Sequence, residues 1–213
     1  MAIDEALLVI GGPPTIRLYG WSPPGLSIGY FQQAAAFREM GGDHVLVRRP
    51  TGGGAILHQD ELTFALTLES SLLPRSTGDS YRLIHSSIAA ALGRVGITVA
   101  ACSTEQDSPV SPGGSPWCFA RPGSLDLVDR DSRKVLGSAQ RRIRRPHPRT
   151  LNHGSLVIRP GTASPHLGEH LASEIATALG LHPRDGELTS TELGLARELV
   201  EVKYGNPAFT HAR

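Results

Sequence analysis

Two residues of this 213-residue chain have side chains and surroundings suited to covalent chemistry. Cys118 stands between Trp117 and Phe119 in a chain with only 5% aromatics, directly after a stretch rich in proline, glycine and serine (103–116). A thiol at the end of such a stretch can reach solvent, and its thiolate is a nucleophile where a neighbouring cation stabilises the charge. Lys134 is the candidate cation. It heads a short apolar strand followed by Gly137, Ser138 and Ala139, small residues that let a substrate lie against the main chain. A lone cysteine is otherwise a small buried hydrophobe, the reading that fits Cys102 in its apolar strand, and a lysine on an edge strand is commonplace.

A second candidate region is Arg48-Arg49-Pro50-Thr51-Gly52-Gly53-Gly54-Ala55-Ile56-Leu57-His58. Three glycines in a row leave the backbone open to close approach and free to take positive φ. Flanked by two arginines and a histidine, they have the composition of a site for an acyl, carboxylate or phosphate group, although a flexible hairpin has the same composition. No Gly-Lys-Ser/Thr closes the run and no helix opens on its last glycine, so neither a Walker loop nor a dinucleotide fingerprint is present. His153-Gly154, opening a later strand, is the other histidine beside a glycine of this kind.

The elements that must position these residues follow from periodicity. Helices are expected over 2–10, 34–40, 80–95, 166–179 and 189–204, from apolar spacing and glycine stops. Strands are expected over 16–19, 27–31, 44–47, 62–68, 97–101 and 151–158, with a hairpin pairing 124–128 with 133–136 and the glycines joining 44–47 to 62–68 as a second hairpin. Residues 103–116 read as a surface loop. Strands dominate the first two thirds and helices the end. The expected class is therefore α+β, one domain over 1–213 with mixed, largely antiparallel sheets flanked by helices.

Composition narrows the function. Twenty-one Lys and Arg against 20 Asp and Glu give a net charge of +1, so nucleic acid is not an expected partner. The basic character is local, at Arg141, Arg142, Arg144, Arg145 and Arg149, a solvated loop by default and otherwise a dock for an acidic partner. The start is acidic where a signal peptide would be basic, and nowhere do about 18 apolar residues run together, so a cytoplasmic protein off the membrane is expected. Two cysteines without zinc spacing point to a reducing compartment and no metal.

Taken in order, Arg48-Arg49-Pro50-Thr51-Gly52-Gly53-Gly54-Ala55 through His58, then Lys134-Val135-Leu136-Gly137-Ser138-Ala139-Gln140, then His153-Gly154-Ser155-Leu156, resemble the three signature blocks of the lipoate–protein ligase, octanoyltransferase and biotin–protein ligase superfamily. Asp4-Glu5-Ala6-Leu7-Leu8 and Arg17-Leu18-Tyr19-Gly20-Trp21 through Gln32 resemble the opening of its lipoate branch. Cys118-Phe119 followed by Pro122 resembles the Cys-Phe-x-x-Pro segment of the Gram-positive type octanoyltransferases.

That resemblance implies a transferase that moves an octanoyl group from acyl carrier protein through a Cys118 thioester to a lysine of a lipoyl domain, such as the glycine cleavage H protein or a 2-oxoacid dehydrogenase subunit. It implies that Lys134 holds Cys118 as thiolate and orients the acyl carbonyl. It also implies that Arg49, Thr51, Gly52, Gly53, Gly54, His58, Gly137, Ser138, Ala139, His153 and Gly154 line the acyl tunnel, with no cofactor. The alternatives are a lipoate ligase using ATP and magnesium, with Arg48 or Arg49 on the phosphate, an amidotransferase between lipoyl proteins, and a non-catalytic acyl-binding module. Three features depart from the pattern: a first strand is missing, Ala120 and Leu125 replace an acid and an aromatic near the cysteine, and the segment after Ile158 is short.

Overall fold

The computed structural model describes all residues except 38–43, 103–114, 158–163 and 213. Among the described residues, nine strands form two sheets. The larger is built from β1 (Thr15–Tyr19), β5 (Glu61–Glu69), β6 (Ala100–Ala101), β7 (Leu127–Val128), β8 (Lys134–Ile143) and β9 (Arg149–Val157), in the antiparallel order β1-β5-β9-β8-β7-β6. The smaller has β2 (Gly25–Ile28) between β3 (Val45–Arg48), parallel to it, and β4 (Ile56–His58), antiparallel. The helices are α1 (Ala2–Ile10), α2 (Thr77–Arg94), α3 (Leu167–Ala178), α4 (Ser190–Leu199) and α5 (Pro207–Thr210), and the fold is the expected α+β class with a mostly antiparallel sheet.

The alternation along β5 separates two environments. Phe64, Leu66 and Leu68 face α2 and α3 and join Ile84, Ile88, Leu92, Leu136, Leu156, Leu171 and Ile175 in the main core. Thr63, Ala65 and Thr67 alternate with them and point the other way. In register beside them lie Ser155 and Gly137 in one row and His153 and Ala139 in the next. Apart from His153, this second face therefore carries small side chains over three strands. A thin floor results, with room above it. Both faces are covered, so β5 is buried along most of its length rather than only at every other residue.

The chain's last elements close over α1. Ala196 of α4 packs on Ala2 and Ala6, and the Glu5 carboxylate accepts hydrogen bonds from Lys203 Nζ (2.6 Å) and Tyr204 Oη (2.7 Å). Arg48 is buried and reaches α5: its Nε and Nη2 donate to Thr210 O at 3.1 and 2.7 Å, while Nη1 donates to the carbonyls of Tyr30 (2.9 Å) and Gln32 (2.7 Å).

Several expected elements differ. The glycine run does not close a hairpin. Its flanking strands β3 and β4 lie on opposite sides of β2, because Gly29 lets Gly53 O come closer than any Cβ would permit and Tyr30 N–H bonds Thr51 O at 2.8 Å, so the segment crosses the end of β2. Gly137–Ala139 and His153–Gly154 lie inside long strands rather than after or before them, since β8 and β9 pair continuously from Leu136–Leu156 to Ile143–Arg149. The strand expected over 27–31 is Gly25–Ile28, the one over 97–101 shrinks to Ala100–Ala101, and 34–40 yields a single 3-10 turn at Ala34–Phe37. Residues 38–40 of that expected helix, and most of the expected loop over 103–116, fall outside the described residues.

Candidate active site

A cleft lies between the small-residue floor and the glycine segment. Arg49, Gly53, His58, Cys118, Gly137, Ser138, Ala139, His153 and Gly154, all expected from sequence, line it, and Met1, Ile56, Thr63 and Ser155 complete the walls. Cys118 sits at the mouth. Its backbone N–H donates to Ala55 O (2.9 Å) and Ala55 N–H donates to Pro116 O (2.8 Å), a short parallel bridge that ties the cysteine segment to the end of the glycine run. That approach requires Gly54, where a Cβ would stand 2.7 Å from Cys118 N.

Lys134 and Cys118 meet as expected. Lys134 Nζ lies 3.4 Å from Cys118 Sγ, and the two converge over Gly137, where a Cβ would be 2.8 Å from the sulfur and 2.8 Å from Lys134 Cε. Sequence did not reveal Asp126, whose Oδ2 is 2.6 Å from Lys134 Nζ, nor His85 of α2. His85 Nδ1 donates to Leu125 O, leaving Nε2 to accept from Ser138 Oγ at 2.7 Å. Ser138 thus turns its hydroxyl away from the cleft. A run of five residues before β7 carries no periodic signal, and the signal available was a carboxylate eight residues from the lysine across an expected hairpin.

The roof is held by buried polar groups. Arg49 donates through Nη1 to Ser27 O (3.0 Å) and Ser27 Oγ (2.8 Å), and through Nη2 to Gly52 O (3.1 Å) and Gly54 O (2.7 Å). Burial pushes its pKa down to about 10, against the pull of Cys118. Ser27 Oγ is in turn 2.6 Å from His58 Nε2, while His58 Nδ1 pairs with Glu61 and Trp21 stacks on the ring at 4.0 Å. Burial lowers the His58 pKa more than Glu61 raises it, so the ring is neutral, with Nδ1–H on the carboxylate and Nε2 accepting from Ser27. On the floor, His153 Nε2 lies 2.5 Å from Thr51 Oγ1. Its burial, aided by Arg49 and opposed by Asp4, pushes its pKa down to about 3.

Thr51, Gly52 and Gly54 therefore belong to the roof's scaffolding, Thr51 through His153 and the glycines through their carbonyls. The two arginines expected to meet a phosphate under an ATP-using ligase differ in place: Arg48 is buried among main-chain carbonyls, away from the cleft lining, while Arg49 lines the cleft but has both Nη atoms engaged with Ser27 and the glycine carbonyls. The basic loop also changes character. Arg141 lies within 3.5 Å of Glu5, Arg142 Nη2 donates to Ser80 Oγ (2.5 Å), and Arg149 is buried with Nη1 on Gly12 O (2.9 Å). Arg144 and Arg145 remain exposed, just past the end of β8.

This α+β frame, with a thiol and an ammonium brought together beside a slot floored by main chain, can be set against known proteins. Residues 1–173 match the lipoyl protein ligase A/B catalytic domain, and the chain belongs to that family. It is 32% identical to octanoyltransferase LipM of Symbiobacterium thermophilum, over 96% of this chain and 90% of that one. It is 42% identical to octanoyltransferase LipM of Halalkalibacterium halodurans, over 74% of this chain and 60% of that one. Among solved structures, a lipoate-protein ligase A bound with ATP superposes with a TM-score of 0.77 at 22% identity, over 99% of this chain and 92% of the other. A bi-partite lipoate protein ligase from Thermoplasma acidophilum gives 0.71 at 21%, over 99% and 89%. At such identities the structures speak for the fold. Among the described residues, no helix is long and apolar enough to cross a membrane, and no cluster of three or more His, Cys, Asp or Glu could hold a metal ion.

Proposed function

We propose that residues 1–213 form one catalytic domain, an octanoyltransferase of lipoate biosynthesis that works through an acyl-thioester on Cys118. The observation that carries this is the 3.4 Å approach of Lys134 Nζ to Cys118 Sγ at the mouth of an apolar slot. Relatives named octanoyltransferase, one matched over nearly the whole chain, support the same reading.

In the first half-reaction the Cys118 thiolate attacks the carbonyl of an octanoyl thioester presented by an acyl carrier protein. The carbonyl oxygen gains negative charge, the carrier's sulfur leaves as thiolate, and the octanoyl group stays on Cys118. In the second, the amine of a lipoyl-domain lysine attacks the new thioester, loses a proton, and takes the acyl group as an amide while Cys118 leaves as thiolate. The first exchange is nearly neutral in free energy and the second is downhill, so the scheme runs without ATP.

The chain's own contribution is threefold. Lys134 offers an ammonium beside the sulfur, suited to hold the thiolate and to receive the developing oxyanion. The Gly137–Ala139 floor and the glycine roof shape a slot for about seven methylene and methyl carbons, each stabilised by roughly 0.8 kcal/mol on leaving water. The Arg49 and His58 network keeps that roof in place before substrate arrives.

Incubation with octanoyl-acyl carrier protein, followed by intact mass, tests the proposal. A hydroxylamine-labile octanoyl adduct is expected, lost in Cys118→Ser and retained in Cys102→Ser. Turnover that requires ATP and free octanoate, with no adduct, would overturn it in favour of a ligase.

A further inference from the structure

The best-tethered carboxylate near the sulfur belongs to Asp126, just outside the three signature blocks. Its Oδ2 accepts from Lys134 Nζ at 2.6 Å and from Gly123 N–H at 2.7 Å. Its backbone is held on both sides: the N–H donates to Gly123 O (3.0 Å) and the C=O accepts from Cys102 N–H (2.8 Å). The preceding carbonyl, Leu125 O, accepts from His85 on α2, whose other nitrogen is fixed by Ser138. A surface ion pair would have none of these tethers. Both side chains are largely shielded, Lys134 at 7% exposure and Asp126 at 15%, so the pair is screened much less than an exposed one.

An ammonium has three N–H donors and no preferred orientation of its own, since it ends a flexible four-carbon stem. Here one donor is directed to Asp126 and one to Cys118 Sγ. Gly137 beneath and the Phe119 ring, whose centroid is 5.5 Å from Nζ, restrict the rest of the stem. Among the described residues the ammonium has no third acceptor, which leaves one N–H for the carbonyl oxygen of an acyl group on its way to the sulfur.

We infer that Asp126 is a positioning residue that acts through Lys134: its fixed carboxylate sets the rotation and place of the ammonium, so that sulfur and carbonyl oxygen are served together. This rests on the transferase reading for its consequence in turnover, but the Asp126–Lys134–Cys118 linkage can be measured without any acyl substrate. The sign of its effect is set by geometry. Without the carboxylate, Lys134 is free to swing out toward water and away from the sulfur.

A double-mutant cycle tests the inference on the full chain, with Asp126→Asn, Lys134→Ala and the pair. Asparagine keeps the shape and an oxygen for Gly123 N–H while removing the charge. In single-turnover acylation by octanoyl-acyl carrier protein, Asp126→Asn should slow adduct formation about 30-fold with the half-saturating carrier concentration unchanged, and cause no further loss in the Lys134→Ala background. In parallel, the rate of Cys118 alkylation by iodoacetamide should fall at least threefold on Asp126→Asn when Lys134 is present and stay unchanged when it is alanine; a rise with Lys134 present would contradict the inference. Equal proportional effects in both backgrounds, in either assay, would mean that Asp126 merely supports the loop, and the inference would be wrong. An intact alkylation cycle in a protein that accepts no octanoyl group would uphold the linkage and sink the transferase reading instead. Asp126→Ser, run through the same cycle, decides the matter if the asparagine variant does not fold.

Discussion

The roof and the mouth of the cleft use cations in opposite ways. In the roof, Arg48 and Arg49 are buried and donate to main-chain carbonyls, holding β2, the glycine segment and α5 in one rigid piece. At the mouth, Lys134 faces a carboxylate and a sulfur, groups whose charge can change during a reaction. The more conspicuous motif is thus scaffold, while the quieter lysine is the one placed beside the thiol. Delocalised guanidinium suits the first task because its planar fork bonds several fixed oxygens at once, and a compact ammonium suits the second.

If the division holds, damage to the roof should cost stability and damage to the mouth should cost rate. Arg48→Met leaves the carbonyls of Gln32, Tyr30 and Thr210 without their donor, and should lower unfolding free energy by about 4 kcal/mol in urea titration while the folded fraction keeps its acylation rate within about threefold. A large rate loss in folded Arg48→Met would erase the contrast. Conversely, Gly137→Ala inserts a Cβ 2.8 Å from both Cys118 Sγ and Lys134 Cε. Those atoms end flexible side chains and can move aside cheaply, so acylation should fall about 100-fold with stability changed by under about 1 kcal/mol.

The smallest effect concerns acid. His153 has a folded pKa of about 3 against an ordinary 6.5, chiefly through burial, so the unfolded chain binds the extra proton between those values. Its contribution to stability is complete above about pH 6.5 and is lost as pH falls toward about 3. The wild type should lose about 2 kcal/mol more than His153→Gln between about pH 6.5 and about pH 5, measured by urea unfolding at each pH. Identical acid limbs would show that the imidazole is not kept neutral by its place under Thr51. His58 and His85, also lowered by burial, act in the same direction and remain in both proteins.

Much of the site could be read from the chain because its parts are local. Cys118, Lys134 and the small residues after it lie in one connected run, and the cleft gathers nine of the residues expected there. What escaped depended on pairing across distance. Periodicity said that 44–47 and 62–68 bracket the glycines, but not that 56–58 would form a strand of its own or that β2, from further upstream, would lie between it and β3. The five arginines looked like one solvated loop until strand register carried Arg141 to Glu5 and turned Arg149 inward. His85 and Asp126 were missed for a related reason: each acquires meaning only from a partner on another element.

The two hydrogen bonds between the Cys118 segment and Ala55 have a consequence for traffic through the enzyme. Under the proposed scheme, a thioester on that sulfur would hang from main chain stitched to the roof, so its reach would be that of one side chain turning about Cα–Cβ and no more. The acceptor's lysine would then have to make up the remaining distance, which favours a visiting protein that presents a long, unencumbered amine.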